Sequence, residues 1–392
     1  MKKYDYLIVG AGIIGMTIAY KLKKLSSNIA IAIIDKENSV AKHASGRNSG
    51  VLHSGFYYSA DSLKAKFTVD GNAQMKQFCK EYNIFVNDTK KIVIAKDKKE
   101  LEGLYELQKR AEINGVETYI IDEDRVREID SNIRTYQKAL YSPNTASVDP
   151  KEVCFRLKDI LEESGVEFYF DTPFDNCDLK YSYLINCAGA YADRIAKEFD
   201  LAKNYTMLPF KGIYLKYMEN RTDIKTNIYP VPNLANPFLG VHYTVTVDGD
   251  IKIGPTAIPA FWRENYRGFD NFNFFEMIEI LYYEAKLFVL NSFNFRKLAL
   301  SEIKNYNRNL FIQKAKDMVY KIGNNFKPIP AGIRAQLLDT KTNELIQDFV
   351  VEHASNSTHI LNAVSPAFTC SFAFAEYVID EINKNKGISD VK

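Results

Sequence analysis

The feature that most constrains this chain is a glycine pattern near its start. Residues 10–15 read Gly-Ala-Gly-Ile-Ile-Gly, a G-x-G-x-x-G. Three glycines at this spacing recur by chance, so the flanks decide the reading. Residues 6–9 are a short apolar run, readable as a buried strand. The helix that follows carries Ile14, Ile18, Leu22 and Leu25 on one stripe. Residues 29–34 are wholly apolar and end at Asp35, twenty positions beyond Gly15. Strand, glycine turn, helix and strand make a βαβ unit with a parallel pair buried on both faces. In such a unit Gly10 allows the tight turn, Gly12 lets backbone approach a pyrophosphate, and Gly15 permits close helix–strand packing. The helix N-terminus offers free N–H groups and partial positive charge to phosphates. Asp35 is the expected acceptor for an adenosine ribose, with Ile14 and Lys36 beside the same ligand. The chain is read as a dinucleotide-binding protein.

The next segment bears on which dinucleotide. Residues 37–75 are polar, Gly/Ser-rich and too long for a simple connection, which marks a functional loop. Its core, HASGRNSGVLHSG (43–55), is rich in small and polar groups suited to wrapping an extended cofactor. A nicotinamide enzyme completes a contiguous binding half at this point, so the balance tilts to flavin. Further along, residues 98–114 read as a helix that stops at Gly115. Asp149-Pro150 opens another, with Asp as cap and Pro at the first position. The apolar run 183–187 leads into Ala188-Gly189-Ala190. Between about 206 and 255 the pattern becomes that of antiparallel strands joined by Asn, Pro and Gly turns. Residues 270–300 are helical and aromatic-rich, and the chain closes with a strand over 358–363, Ser365-Pro366 and a last helix. The expected fold is α/β plus antiparallel β: a Rossmann-like cofactor domain (1–80, 140–205 and 325–392) interleaved with a mostly antiparallel-sheet substrate domain (81–139 and 206–324).

Composition excludes several classes. Fifty-one basic against 49 acidic residues, a formal charge of +2, argue against a nucleic-acid partner. No run of eighteen apolar residues reads as a spanning helix. The N-terminus lacks the apolar core and cleavage site of a secretory signal. Five scattered cysteines without a CxxC pair suggest neither a disulfide framework nor a metal site. A cytoplasmic protein is the expectation. The 25 Tyr and 25 Phe against one Trp are unusual and concentrate at 56–58, 205–217 and 272–295.

At this point the sequence resembles the flavin-dependent D-amino-acid-oxidase-like superfamily, and within it the L-2-hydroxyglutarate oxidase/dehydrogenase family. The likeness is carried by HASGRNSGVLHSGFYY (43–58), SLKAKF (62–67), YSPNTASVDP (141–150), LINCAGAYADRIA (184–196), LPFKGIY (208–214), IYPVPNLANPFLGVHYT (228–244), KIGPTAIPAF (252–261), GIRAQLLD (332–339) and LNAVSPAFT (361–369). It covers most of the chain. Two departures stand out: Lys90-Lys91 precede Ile92 where the family has a glycine, and AFTCSFAFAE carries larger residues than usual. The resemblance implies FAD, held by the βαβ unit and by Ser45, Arg47, Asn48, Ser49, Gly50, Ala188, Gly189, Gly332, Ser365, Pro366 and Thr369. It implies oxidation of an L-2-hydroxy dicarboxylate to the 2-oxo acid, with electrons passing on to oxygen, a quinone or another acceptor. An amino acid or another secondary alcohol such as glycerol 3-phosphate is the alternative substrate, and a non-catalytic flavin protein the second alternative.

Such a reaction needs a base for the hydroxyl proton, and histidine is the common choice. His53 and His242 are the two candidates for base and substrate contact, unresolved between them. A dicarboxylate needs two cationic anchors, for which Arg334 and Lys211 are the candidates. Arg47 and Asn48 are expected to hold the loop or the cofactor, and Tyr57 and Tyr58 to close the pocket or join the core. N–H groups at the start of the last helix suit negative charge on a reduced flavin. The aromatic stretch 272–295 has few charges; it packs inward, or it rests on a membrane where a quinone lives.

Overall fold

The computed structural model describes residues 2–219, 224–232 and 239–389. Positions 233–238 of the family-like segment 228–244 lie outside the described residues.

The βαβ unit forms as its pattern dictates. Strands Lys3–Val9 and Ile31–Ile34 pair in parallel, Tyr6 opposite Ile31 and Val9 opposite Ile34. Helix Ile13–Leu25 connects them. The other edge of the first strand pairs in parallel with Lys180–Asn186. Ser357–Asn362 extends the sheet on that side and Glu167–Tyr169 on the other. Only the outer hairpin, Val350–Ala354 with Ser357–Asn362, is antiparallel. Met16, Leu157, Phe372 and Phe374, from three helices, share one fully buried core with Ile8 and Ile33 of this sheet. Each such side chain contributes roughly 1.5–3 kcal/mol. Asp149 caps helix Pro150–Glu163 by accepting from the Lys151 N–H at 2.8 Å.

The second sheet is larger and almost wholly antiparallel. Towards one edge Tyr205–Tyr217 runs against Phe326–Asp339, from Tyr205 opposite Asp339 to Tyr217 opposite Phe326, with a bulge between Gly212 and Tyr214. Ile251–Gly254, His242–Val245 and Asn227–Pro230 follow, then Lys91–Ile94, Lys138–Ser142 and Tyr119–Asp122. The pairing of Asn227–Pro230 with Lys91–Ile94 is the parallel exception.

Two findings depart from the sequence reading. The stretch 37–75, expected as a loop, ends in a helix, Leu63–Glu81. Ser62 caps it through the Ala65 N–H at 3.1 Å, and Asp348 accepts from the Leu63 and Lys64 N–H groups at 2.7 and 3.1 Å. Polar residues and Gly71 disguise this helix. That glycine is needed because a Cβ there would lie 2.5 Å from the Thr369 carbonyl oxygen of the last helix, Ala367–Ser389. The second departure concerns the expected division at residue 325. Strand Phe326–Asp339 and the short Glu344–Leu345 belong to the larger sheet, because the long pairing with 205–217 carries them there.

Candidate active site

A cavity of about 640 Å³ is lined by residues of both sheets. It is within the usual range for a cofactor or substrate site. One end is built by the glycine turn. At Gly10, with φ +109°, a Cβ would lie 2.4 Å from the Cys187 carbonyl oxygen. At Gly15, one would lie 2.2 Å from the Gly10 carbonyl oxygen. The strand ends therefore meet at van der Waals contact, and the free end of helix Ile13–Leu25 opens into the cavity beside Gly12 and Ile14. Asp35 is fixed there by two backbone donors, Ala11 N–H at 2.8 Å and Glu37 N–H at 2.9 Å. Burial raises its pKa, against the pull of those donors. Ala188 and Gly189 line the same end, and nothing lies within 4 Å of where a Gly189 Cβ would be. Lys36 lines it too, but its ammonium is paired with Glu264 and, at 3.2 Å, with Glu37.

The middle of the cavity is walled by the loop after residue 43. Asn48 folds that loop on itself, donating to the Ser45 carbonyl at 2.8 Å and accepting from the Gly50 N–H at 2.8 Å. Arg47 donates to the Lys42 carbonyl at 2.7 Å and lies 4.2 Å above the Tyr266 ring. Both hold the loop while also lining the cavity. Ser45 accepts from the Ile13 N–H at 2.9 Å, tying loop to helix end. Gly50 stands behind the wall, where a Cβ would meet the Val148 carbonyl oxygen at 2.2 Å. Gly332, Ser365, Pro366 and Thr369 complete the wall from the opposite side. Thr369 joins the two, accepting from the His53 N–H at 3.2 Å and donating to the Val51 carbonyl at 3.3 Å. Two helix N-termini, an extended cavity and glycines cleared of side chains fit a dinucleotide such as FAD.

The far end gathers the ionisable side chains. His53 and Arg334 line the cavity, and Arg334 is partly buried there facing Tyr214 and Tyr58. His242 lies just behind, stacked on Tyr229 at 3.8 Å between ring centroids. Its Nδ1 donates to the Gly240 carbonyl at 2.8 Å, which leaves the lone pair on Nε2. Burial holds its pKa down at about 3. Burial and the neighbouring Lys91, His242 and Arg334 charges push His53 well below the usual histidine value. Tyr57 is buried beside Tyr229, with no hydrogen-bond partner for its hydroxyl.

Lys211 is not brought to this end. Along Tyr205–Tyr217 the cavity is lined by Phe210, Gly212 and Tyr214, and the alternation turns Lys211 to the opposite face. Its ammonium donates to Asn265 at 2.9 Å. Two other lysines take the position of buried cations. Lys91 is fully buried with Nζ 3.3 Å from His53 Nδ1. Lys64 is held beside Arg334, Asp348 and Cys370, and burial lowers its pKa to about 8. Sequence reasoning marked Lys91 only as a departure from the family and gave neither lysine a place in the site. For Lys91 a signal existed: in Lys-Ile-Val-Ile-Ala (91–95) the lysine alternates in phase with Val93 and Ala95, on a face that is buried. Cys370 is the small buried residue expected, its thiol pushed up to about 12 by burial, whereas Cys187 is only partly buried and lines the cavity.

The family model described as FAD dependent oxidoreductase matches residues 5–381. The chain is similar to L-2-hydroxyglutarate dehydrogenase of Escherichia coli K12, 32% identical over 97% of this chain and 93% of that one. It is 35% identical to the mitochondrial L-2-hydroxyglutarate dehydrogenase of Caenorhabditis elegans, over 98% and 95% of the two chains. Its fold is that of the FAD-bound L-alpha-glycerophosphate oxidase of Mycoplasma pneumoniae, with a TM-score of 0.76 over 98% and 95% of the chains; the identity of 19% makes this a likeness of fold alone.

Proposed function

We propose that this chain, which belongs to the FAD-dependent oxidoreductase family and within it groups with L-2-hydroxyglutarate dehydrogenases, oxidises L-2-hydroxyglutarate to 2-oxoglutarate. When bound, FAD supplies the acceptor for the hydride that leaves C2. The chain's own residues bind and orient the acid and receive its hydroxyl proton. The observation that carries this reading is that a partly buried arginine, Arg334, and a buried histidine, His53, line one end of the cavity together. The guanidinium fork takes a carboxylate in bidentate fashion, and burial strengthens that attraction. The imidazole is the acceptor we assign to the hydroxyl proton of the same substrate. The deep end excludes bulk water, since His53, His242, Tyr57 and Tyr229 are all buried.

The experiment is anaerobic bleaching of the oxidised flavin by a panel of hydroxy and amino acids. L-2-hydroxyglutarate is expected to reduce it and the D enantiomer to leave it oxidised. Reduction by glycerol 3-phosphate or an amino acid instead would move the substrate class.

We further infer a peripheral position on the inner face of the cell membrane, with a quinone as electron acceptor. No helix among the described residues is long and apolar enough to cross a membrane. Helix Phe274–Leu290 nevertheless exposes Phe275, Ile278, Tyr282 and Val289 along one stripe, with Phe275 82% exposed and Lys286 the charged residue at the same spacing, its ammonium turned to the Thr340 carbonyl. Its acidic residues turn the other way: Glu276 is buried and paired with Arg194 at 2.9 Å. The following stretch, 295–316, adds Arg296, Lys297, Lys304, Arg308, Lys314 and Lys316 against a single acidic residue, Glu302. Apolar area flanked by basic residues is what binds an anionic lipid surface.

A further inference from the structure

We propose that Lys91 is the proton-relay partner of His53: its amine accepts the Nδ1 proton of His53 as the imidazole takes the substrate hydroxyl proton at Nε2. The proposal rests on the reading of His53 as the base in hydroxy-acid oxidation. Lys91 opens strand Lys91–Ile94, is fully buried, and holds Nζ 3.3 Å from His53 Nδ1. The ammonium also lies 4.3 Å from the Tyr229 ring centroid and 5.2 Å from that of Tyr57. The titratable groups that face this pair are Tyr57 from the segment after His53, Tyr229 from Asn227–Pro230, His242 from His242–Val245 and Arg334 from Phe326–Asp339. Among the described residues no carboxylate forms an ion pair with Lys91. A buried ammonium without a counter-ion is costly to keep charged. Burial brings this one down to about 7, so the neutral amine is well populated at neutral pH.

The two states of Lys91 give His53 opposite chemistry. An ammonium can only donate, so Nδ1 must accept, Nε2 keeps its hydrogen, and the side facing the substrate cannot take a proton. A neutral amine accepts from Nδ1–H instead and leaves the lone pair on Nε2. As the substrate O–H bond breaks, its proton goes to Nε2 and the Nδ1 proton goes to Lys91 Nζ. The C2–H bond breaks with both electrons, which leave as hydride to the flavin, so the acid is oxidised by two electrons and the proton rests on Lys91. The relay avoids a lasting imidazolium, which would stand buried beside Lys91, His242 and Arg334. Lys91 acts through His53 and is a positioning residue.

The test compares holoenzyme carrying Lys91→Arg or Lys91→Met with the parent, by rate and by the histidine ring nitrogens. In the parent, kcat/KM for L-2-hydroxyglutarate is expected to rise with pH through the Lys91 ionisation, and 15N spectra of histidine-labelled protein to show His53 exchanging tautomer at the same midpoint. Lys91→Arg stays charged, so kcat should fall about a hundredfold and stay low up to about pH 9.5, with the tautomer fixed. Lys91→Met should lose the limb. Both variants should still bind FAD. The proposal is overturned if both variants keep the parent's limb and rate, or if His53 of the parent keeps one tautomer between about pH 5.5 and 9.5. The second measurement needs neither variant nor substrate. Failure of the parent to reduce its flavin with any L-2-hydroxy acid, with the tautomer exchange intact, would instead remove the substrate reading.

Discussion

Arg263 and Asp193 form a bidentate ion pair closed to water, 1% and 0% exposed, with Nη2 2.9 Å from Oδ2 and Nη1 bonded to Oδ1. Asp193 stands in helix Ala192–Glu198, just beyond the strand Lys180–Asn186 of the smaller sheet. Arg263 follows the short strand Ile258–Pro259, which edges the larger one. The pair, with the Ala190 carbonyl that also receives Nη1, binds the two halves of the molecule beside the cofactor cavity.

Breaking this pair from one side leaves a charge buried without its partner. Asp193→Asn is expected to cost roughly 3–5 kcal/mol, read as a lower urea midpoint. The double change Asp193→Leu with Arg263→Met should recover most of that loss, because it removes both charges.

Arg334→Met should raise KM for L-2-hydroxyglutarate by about thirtyfold to a hundredfold, the worth of a charge-assisted bidentate contact. The monoacid L-2-hydroxybutyrate should be affected far less. An equal loss on both substrates in steady-state kinetics would assign Arg334 to the carboxylate they share.

Gly332→Ala places a Cβ 2.6 Å from the Arg47 carbonyl oxygen, so the loop must move outward. Overpacking of this kind costs roughly 1–3 kcal/mol. Weaker FAD retention is expected, by about tenfold or more in the dissociation constant, measured by flavin fluorescence on dilution. Unchanged retention would show that the loop at Arg47 does not hold the cofactor.

Stability should fall as pH drops below neutrality. His242 and His359 are held neutral by burial, with pKa values lowered from 6.5 to about 3 and about 4. Below about 6.5 the unfolded chain binds protons that the folded chain refuses, so unfolding free energy declines as pH falls toward 4. Each fully titrating site adds a slope of about 1.4 kcal/mol per pH unit over that window. His359→Gln, in a site where the ring bonds Asn186 and Ser357, should flatten the slope of urea midpoint against pH.

Phe275→Glu with Ile278→Glu should abolish binding to vesicles containing anionic lipid, in a flotation assay, while flavin reduction by substrate persists. Retained flotation would place the contact elsewhere.

Much of this molecule was legible along the chain. The glycine turn, the two strands it joins and the helix between them follow from spacing that acts over a few residues. The Asp149 cap with Pro150 is equally local. His53 and Arg334 were found as residue types in distinctive surroundings, and both line the cavity. The helix Leu63–Glu81 was missed because Gly71 weakens it locally and is explained only by the last helix crossing there.

By itself, then, the sequence determined the βαβ unit, its glycine turn and the chemical types that line the cavity, because backbone propensity and period are short-range. Tertiary structure decided which lysine lies beside His53. Lys211 lies on a strand buried in parts on both sides, and only the pairing of Tyr205–Tyr217 with Phe326–Asp339 turns Gly212 and Tyr214 inward and Lys211 away. Lys91 reaches His53 because a strand some forty residues further on packs its buried face over the flavin loop. The aromatic stretch was undecided in the same sense: its composition suits a core or a lipid surface equally. The inward pairing of Glu276 with Arg194 and of the Arg263 N–H with Glu276 fixed the rotation of that helix and left Phe275 and Ile278 outside.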